Sequence, residues 1–92
     1  MNLPQDITSR VQRDFPQESG TVLSRLLQLR RDSEAFSSDR LLRCLVHAAH
    51  GDSSRIEPLI ELGHQDSRDL IVAAECNAEW EHIRDMNQPF TE

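Results

Sequence analysis

Apolar residues return at helical spacing along most of the chain, and their densest run lies near the middle, from Asp39 to Gly51. On a wheel at about 100° per residue, Leu41, Leu42, Cys44, Leu45, Val46, Ala48 and Ala49 spread over more than half the circumference. They leave a narrow polar strip of Arg40, Arg43, His47 and His50. A helix so broadly apolar must be covered on several sides, so residues 39–50 are expected to form the central helix of the fold. Phe36 precedes a candidate N-cap at Ser37 and is placed to staple onto Leu41. At the other end, Gly51 supplies a residue that takes the left-handed C′ conformation without strain.

Upstream, Leu3, Ile7, Val11 and Phe15 recur every four residues behind a candidate Asn2 cap, which predicts a first amphipathic helix over about residues 3–14. Pro16 suits the first turn of a second helix, whose apolar face is Val22, Leu23, Leu26, Leu27 and Leu29 and which ends near Arg31. Downstream, Asp52, Ser53 and Ser54 offer caps for a fourth helix with Ile56, Leu59, Ile60 and Leu62 on its apolar face and Gly63 as its end. The short link between the central and fourth helices makes them a helical hairpin. Asp66 and Asp69 signal a fifth helix starting near Ser67. Its run Leu70–Ala74 is apolar all round and is expected to be buried, with a short strand as the competing reading. Beyond Cys76 and Asn77, the amphipathic set Ala78, Trp80, Ile83 and Met86 either extends the fifth helix or forms a sixth.

The expected fold is therefore all-α. It is a single small domain, residues 1–86, of five short helices (six if residues 78–86 form their own) packed around helix 39–50, followed by a tail at 87–92. Within that tail, Phe90 after Pro89 is placed to dock on the surface. Residues Ala48 to Gly63 resemble an ankyrin unit in their Ala-Ala, the glycine after the first helix and the Ile-x-x-Leu-Ile-x-Leu-Gly second helix. They depart from it in lacking the Thr-Pro-Leu-His opening, in a shorter inter-helix spacing and in having no second copy, so nothing is carried over from that family.

Composition narrows the functional classes. A chain of 92 residues, 37% hydrophobic and 28% charged, is that of a small globular domain. Its longest uncharged apolar run, Leu70–Ala74, is far short of the roughly 20 residues of a membrane span. No basic and then apolar leader opens the chain, so a soluble, cytoplasmic protein is expected, with no membrane partner. Both cysteines, Cys44 and Cys76, fall in apolar helical runs and are expected to be reduced and buried. The net charge of −6 is uneven: residues 1–46 carry seven arginines against six acids, and residues 47–92 carry three against ten. An acidic C-terminal half repels nucleic acid and attracts basic surfaces.

Candidate chemistry is sparse. Arg40, Arg43, His47 and His50 form a strip suited to a phosphate or carboxylate, or simply the solvated side of a core helix. Cys44, His47, Cys76 and His82 are an acceptable zinc set by type but lack paired ligand spacing, and Glu75, Glu79 and His82 make only one copy of a di-iron pattern. No metal or cofactor is therefore expected. No glycine-rich phosphate loop or nucleophile motif is present, and the chain is read as no enzyme. The candidate recognition helix of a helix-turn-helix, Ser53–Leu62, carries Glu57, Glu61 and Pro58, a poor surface against phosphates. Glu75 follows an apolar run, so its burial requires a partner such as Arg43, Arg40 or His47. By elimination the function expected is that of a small acidic interaction module, an adaptor, regulator or inhibitor. Its C-terminal face of Glu75, Glu79, Glu81 and Asp85, with Trp80 as anchor, would meet a protein partner with a basic surface. The alternative is an anion- or metal-binding domain built on the arginine and histidine strip.

Overall fold

A computed structural model describes residues 3–76, 79 and 81–90. The fold is all-α, with five helices: α1 (Gln5–Asp14), α2 (Ser19–Asp32), α3 (Asp39–Ala49), α4 (Ile56–Gln65) and α5 (Ser67–Glu75). A 3₁₀ turn, Ser53–Arg55, leads into α4. The central position expected of residues 39–50 is observed: α3 packs on α5, α4 and α1, while α2 packs chiefly on α1. Every residue of α3 from Leu41 to Val46, together with Ala48 and Ala49, is buried. The apolar arc therefore touches neighbours all the way round, and even Arg43 in the polar strip is covered.

The helix ends follow local chemistry, with some shifts from the sequence reading. Ser38, not Ser37, caps α3 by accepting from the Leu41 N–H, while the Ser37 hydroxyl donates to the Glu34 carbonyl. α3 closes on His50 in the left-handed region at φ 51°, followed by Gly51 at φ 74°. A side chain at Gly51 would also come within 3.1 Å of the Asp14 carbonyl oxygen. α1 begins after Pro4 rather than from Asn2, which lies outside the described residues. Pro16 sits in the turn before α2 instead of in its first turn. Asp52 shapes the start of the α4 region by accepting from both the backbone N–H and the hydroxyl of Ser54.

Gly63 does not end α4, which runs on to Gln65. The glycine is needed for close packing instead. A Cβ there would lie 2.5 Å from Phe36 Cζ and 3.1 Å from Leu70 Cδ2, so the Phe36 ring and Leu70 close directly over the α4 backbone. Phe36, expected as a helix-end staple, is thus a fully buried core residue, and its ring meets His64 edge-on at 5.4 Å.

α5 starts at Ser67, as its Asp66 cap implied, with the carboxylate accepting from the Arg68 N–H. It is a helix and not a strand, but it is not buried on all sides. Leu70 and Ala74 are buried, Ile71 and Val72 half-buried and Ala73 exposed, because α3 and α4 cover only one side of it. Neither the extension of α5 nor a sixth helix occurs among the described residues. The Glu75 carbonyl at the end of α5 accepts from the N–H groups of Ile83 and Arg84, at 2.8 and 3.2 Å, and Cys76 pairs with His82 in an isolated antiparallel bridge. The chain therefore turns back on itself and runs as a non-helical strap, residues 81–90, across α5, α3 and α1. Met86 is buried in the core, and Phe90 is half-buried against it.

Gly63→Ala is expected to cost about 1–3 kcal/mol by overpacking, which for a domain of this size lowers the melting temperature by roughly 5–20 °C. Thermal unfolding followed by circular dichroism measures this, and an unchanged midpoint would show that Phe36 yields freely.

Candidate functional site

The polar groups that organise the C-terminal half converge on Glu75. The turn that ends α5 points its side chain at α3, and it is fully buried, 0% exposed. Arg40, in the first turn of α3, donates from Nε to Oε2 and from Nη2 to Oε1, both at 2.8 Å, a bidentate pair. His82 Nε2 lies 2.7 Å from Oε1, and the Met86 backbone N–H donates to Oε2 at 3.2 Å. Burial alone would raise this carboxyl's pKa, but the hydrogen bonds from Arg40, His82 and Met86 outweigh it and hold it down at about 2. The neighbouring Cys44 thiol, 3.9 Å from Oε2, is pushed up to about 12 by burial and by the Glu75 charge. It stays protonated and unreactive.

A second clamp lies one turn along α3. Arg43 reaches Asp6 of α1 with Nε and Nη2, at 2.8 and 3.2 Å, and donates from Nη1 to the carbonyls of Met86 and Asn87, at 3.2 and 3.3 Å. Asp6 in turn accepts from the Phe90 N–H at 3.1 Å. The Arg43 guanidinium holds the Asp6 carboxyl below the ordinary carboxylate range. The Arg10 guanidinium stacks over the Phe90 ring, 4.7 Å from its centre. Both clamps bind backbone groups of the strap, so they fix its path more than its composition.

The strip Arg40, Arg43, His47 and His50 does not present four cations to solvent together. These helix positions face α1, α5 and the strap, so Arg40 is spent on Glu75 and Arg43 on Asp6. His47, half-buried, has its Nδ1 3.3 Å from Arg10 Nη2, and the exposed His50 ring lies 5.6 Å from it at the helix end. Burial, together with the nearby charges of Arg84, Arg10 and His50, pushes the His47 pKa down to about 4. Neutral imidazole is therefore its resting form.

The acidic face needs one correction. Glu75 is not on it: a carboxylate with 0% exposure and a bidentate arginine is an internal anchor, as its position after an apolar run had suggested. Of the partners weighed from sequence, Arg40 is the one it takes. Glu79, Glu81 and Asp85 are exposed, and Asp85 also accepts from the Asn87 N–H. Ile83, between Glu81 and Asp85, is 50% exposed. Trp80 lies outside the described residues. Among the described residues no group of three or more histidine, cysteine or acidic side chains is arranged to hold a metal ion, and no helix is long and apolar enough to cross a membrane. A separate groove of about 420 Å³ lies between α2 and α4, lined by Val22 and Ile56 and spanned by a bidentate Arg25–Glu57 pair. Neither the acidic-face residues nor the arginine and histidine strip line it.

Asp6, Arg10 and Arg84 were not legible as site residues, and His82 was weighed only as a metal ligand and not as a partner of Glu75. Each acts across the chain: Asp6 meets Arg43 from 37 positions away, and spacing along one helix gives no signal for that.

Glu75→Gln is expected to destabilise the protein by about 3 kcal/mol, since the amide cannot accept both Arg40 donors and leaves a charge half-covered. The folded carboxyl at about 2 lies below its ordinary value of 4.5, so its stabilisation is present above pH 4.5 and lost as pH falls toward 2. Urea unfolding at stepped pH is expected to show a shallower acid slope in the Gln variant than in the parent; equal slopes would remove Glu75 as an acid-sensitive anchor. In comparisons with known proteins, no family model, no curated protein and no solved structure matches the chain.

Proposed function

We propose that the protein is a small acidic interaction module that binds a partner with a basic surface through its C-terminal strap. The observation that carries this reading is the way the strap is held. Glu75 and Arg43 fix it from beneath, and the same path leaves Glu79, Glu81 and Asp85 exposed around the half-exposed Ile83. An apolar residue ringed by charge on an ordered backbone has the composition of an interface patch, with the ordering already made before a partner arrives. The concentration of acids in residues 47–92 supports attraction to a basic surface over long range. Such a module needs no cofactor and no catalytic group. The anion-binding alternative is the weaker one, because Arg40 and Arg43 already have carboxylate partners.

The test is affinity capture with the intact protein from the cells that produce it, beside the variant Glu79→Gln, Glu81→Gln, Asp85→Asn. A specific partner is expected with the parent at low salt, lost at high salt and lost with the neutral variant, whose melting temperature stays within a few degrees. Ile83→Ser is expected to weaken binding by about tenfold. A partner held equally by the neutral variant would refute the acidic strap as the binding surface.

A further inference from the structure

The segment that carries the acidic face also has an unused main-chain edge. Cys76 and His82 face each other in an isolated antiparallel bridge, yet they exchange no hydrogen bond. The Cys76 N–H is spent on the Val72 carbonyl, and the bond that registers the two segments runs from the Ile83 N–H to the Glu75 carbonyl at 2.8 Å. In an antiparallel ladder, two residues paired without such bonds point their own N–H and carbonyl groups away from each other. The N–H and carbonyl of His82 therefore face outward, and neither has a hydrogen-bond partner among the described residues.

The side chains sort by the two-residue alternation of an extended chain. His82 and Arg84 turn to the Glu75 carboxylate and the Ala74 carbonyl, while Glu81, Ile83 and Asp85 are exposed. The N–H groups of Ile83 and Arg84 share the Glu75 carbonyl, a bulge that ends the regular edge after Ile83.

We propose that this edge takes up a strand from the partner: an extended segment of the order apolar-x-basic that pairs antiparallel with residues 81–83. Its middle residue exchanges two main-chain bonds with His82, as an antiparallel hydrogen-bonded pair does. Antiparallel order then sets the preceding residue opposite Ile83 and the following one opposite Glu81, both on the outward face. The first is apolar, because it covers an isoleucine that is 50% exposed. The second is arginine or lysine, to meet the carboxylate. A further basic residue, two places before the apolar one, reaches toward Asp85 across the bulge. A helix cannot serve as the occupant, because its main-chain groups are already bonded internally. This inference rests on the basic-partner reading and deepens it by naming the partner's conformation and the order of its side chains.

The probe is the synthetic peptide acetyl-Ser-Thr-Arg-Thr-Val-Thr-Arg-Thr-Ser-amide, titrated at low salt into the full chain and followed by NMR. A second peptide is N-methylated at the threonine after the valine, which removes the donor aimed at the His82 carbonyl. At saturating peptide the His82 amide is expected to gain about tenfold or more protection from hydrogen exchange. The N-methylated peptide is expected to bind about tenfold more weakly, and Ile83→Asp or the pair Glu81→Gln, Asp85→Asn to lose binding. Equal binding of the two peptides, with loss in the neutral pair, would overturn strand addition and leave the acidic surface standing. Undiminished binding to the neutral pair would sink the charge-based reading and the side-chain order proposed with it. No change at His82 up to millimolar peptide, or tighter binding of a helical peptide of the same charge, would also overturn the proposal.

Discussion

A carboxylate buried at the end of a helix must be fully satisfied, and that requirement at Glu75 dictates how the last third of the chain is arranged. An unpaired charge in that position would cost several kcal/mol. Arg40 supplies one half of the solution from α3, and the strap supplies the other through His82 and the Met86 N–H. The backbone carbonyl of the same residue accepts from Ile83 and Arg84. One residue thus ends α5, locks α5 to α3 and starts the return of the chain.

The second clamp, Arg43 with Asp6, continues this over the next turn of α3 and brings in α1. Together the two clamps hold the segment that places Met86 in the core and Phe90 against Arg10. A domain of this size has a small core, and tying a non-helical segment across three helices adds apolar burial that five short helices do not supply. The same arrangement sets what faces outward, so the acidic residues around Ile83 are displayed by the pairs buried beneath them.

The helices were legible because their signals are local. The apolar arc of α3, the four-residue recurrence of Ile7, Val11 and Phe15, and the Asp66 cap of α5 each depend on neighbours within one or two turns. Gly63 misled because a glycine near a helix end has two physical uses, and only the position of Phe36, 27 residues earlier, reveals that close packing is the one in force. Residues 78–86 misled for a similar reason. Their spacing suits a helix, but over the described residues 81–86 the bonds that Glu75 and Arg43 offer to backbone groups favour a non-helical path, and tertiary partners outweigh a short helix's weak intrinsic stability. The need of Glu75 for an inward partner was visible from its apolar flank; that the partner set includes the strap was not.

The central claim is that the Glu75 and Arg43 clamps act through one shared segment, since both bind Met86, one at its N–H and one at its carbonyl. A double-mutant cycle with Glu75→Gln and Arg43→Met, followed by urea unfolding at pH 7, tests this most directly. If one lost clamp frees the strap, the second substitution has less left to break, and the double variant is expected to be more stable than additivity predicts by about 1 kcal/mol or more. Additivity to within about 0.5 kcal/mol would mean that the clamps are independent, and would contradict the account.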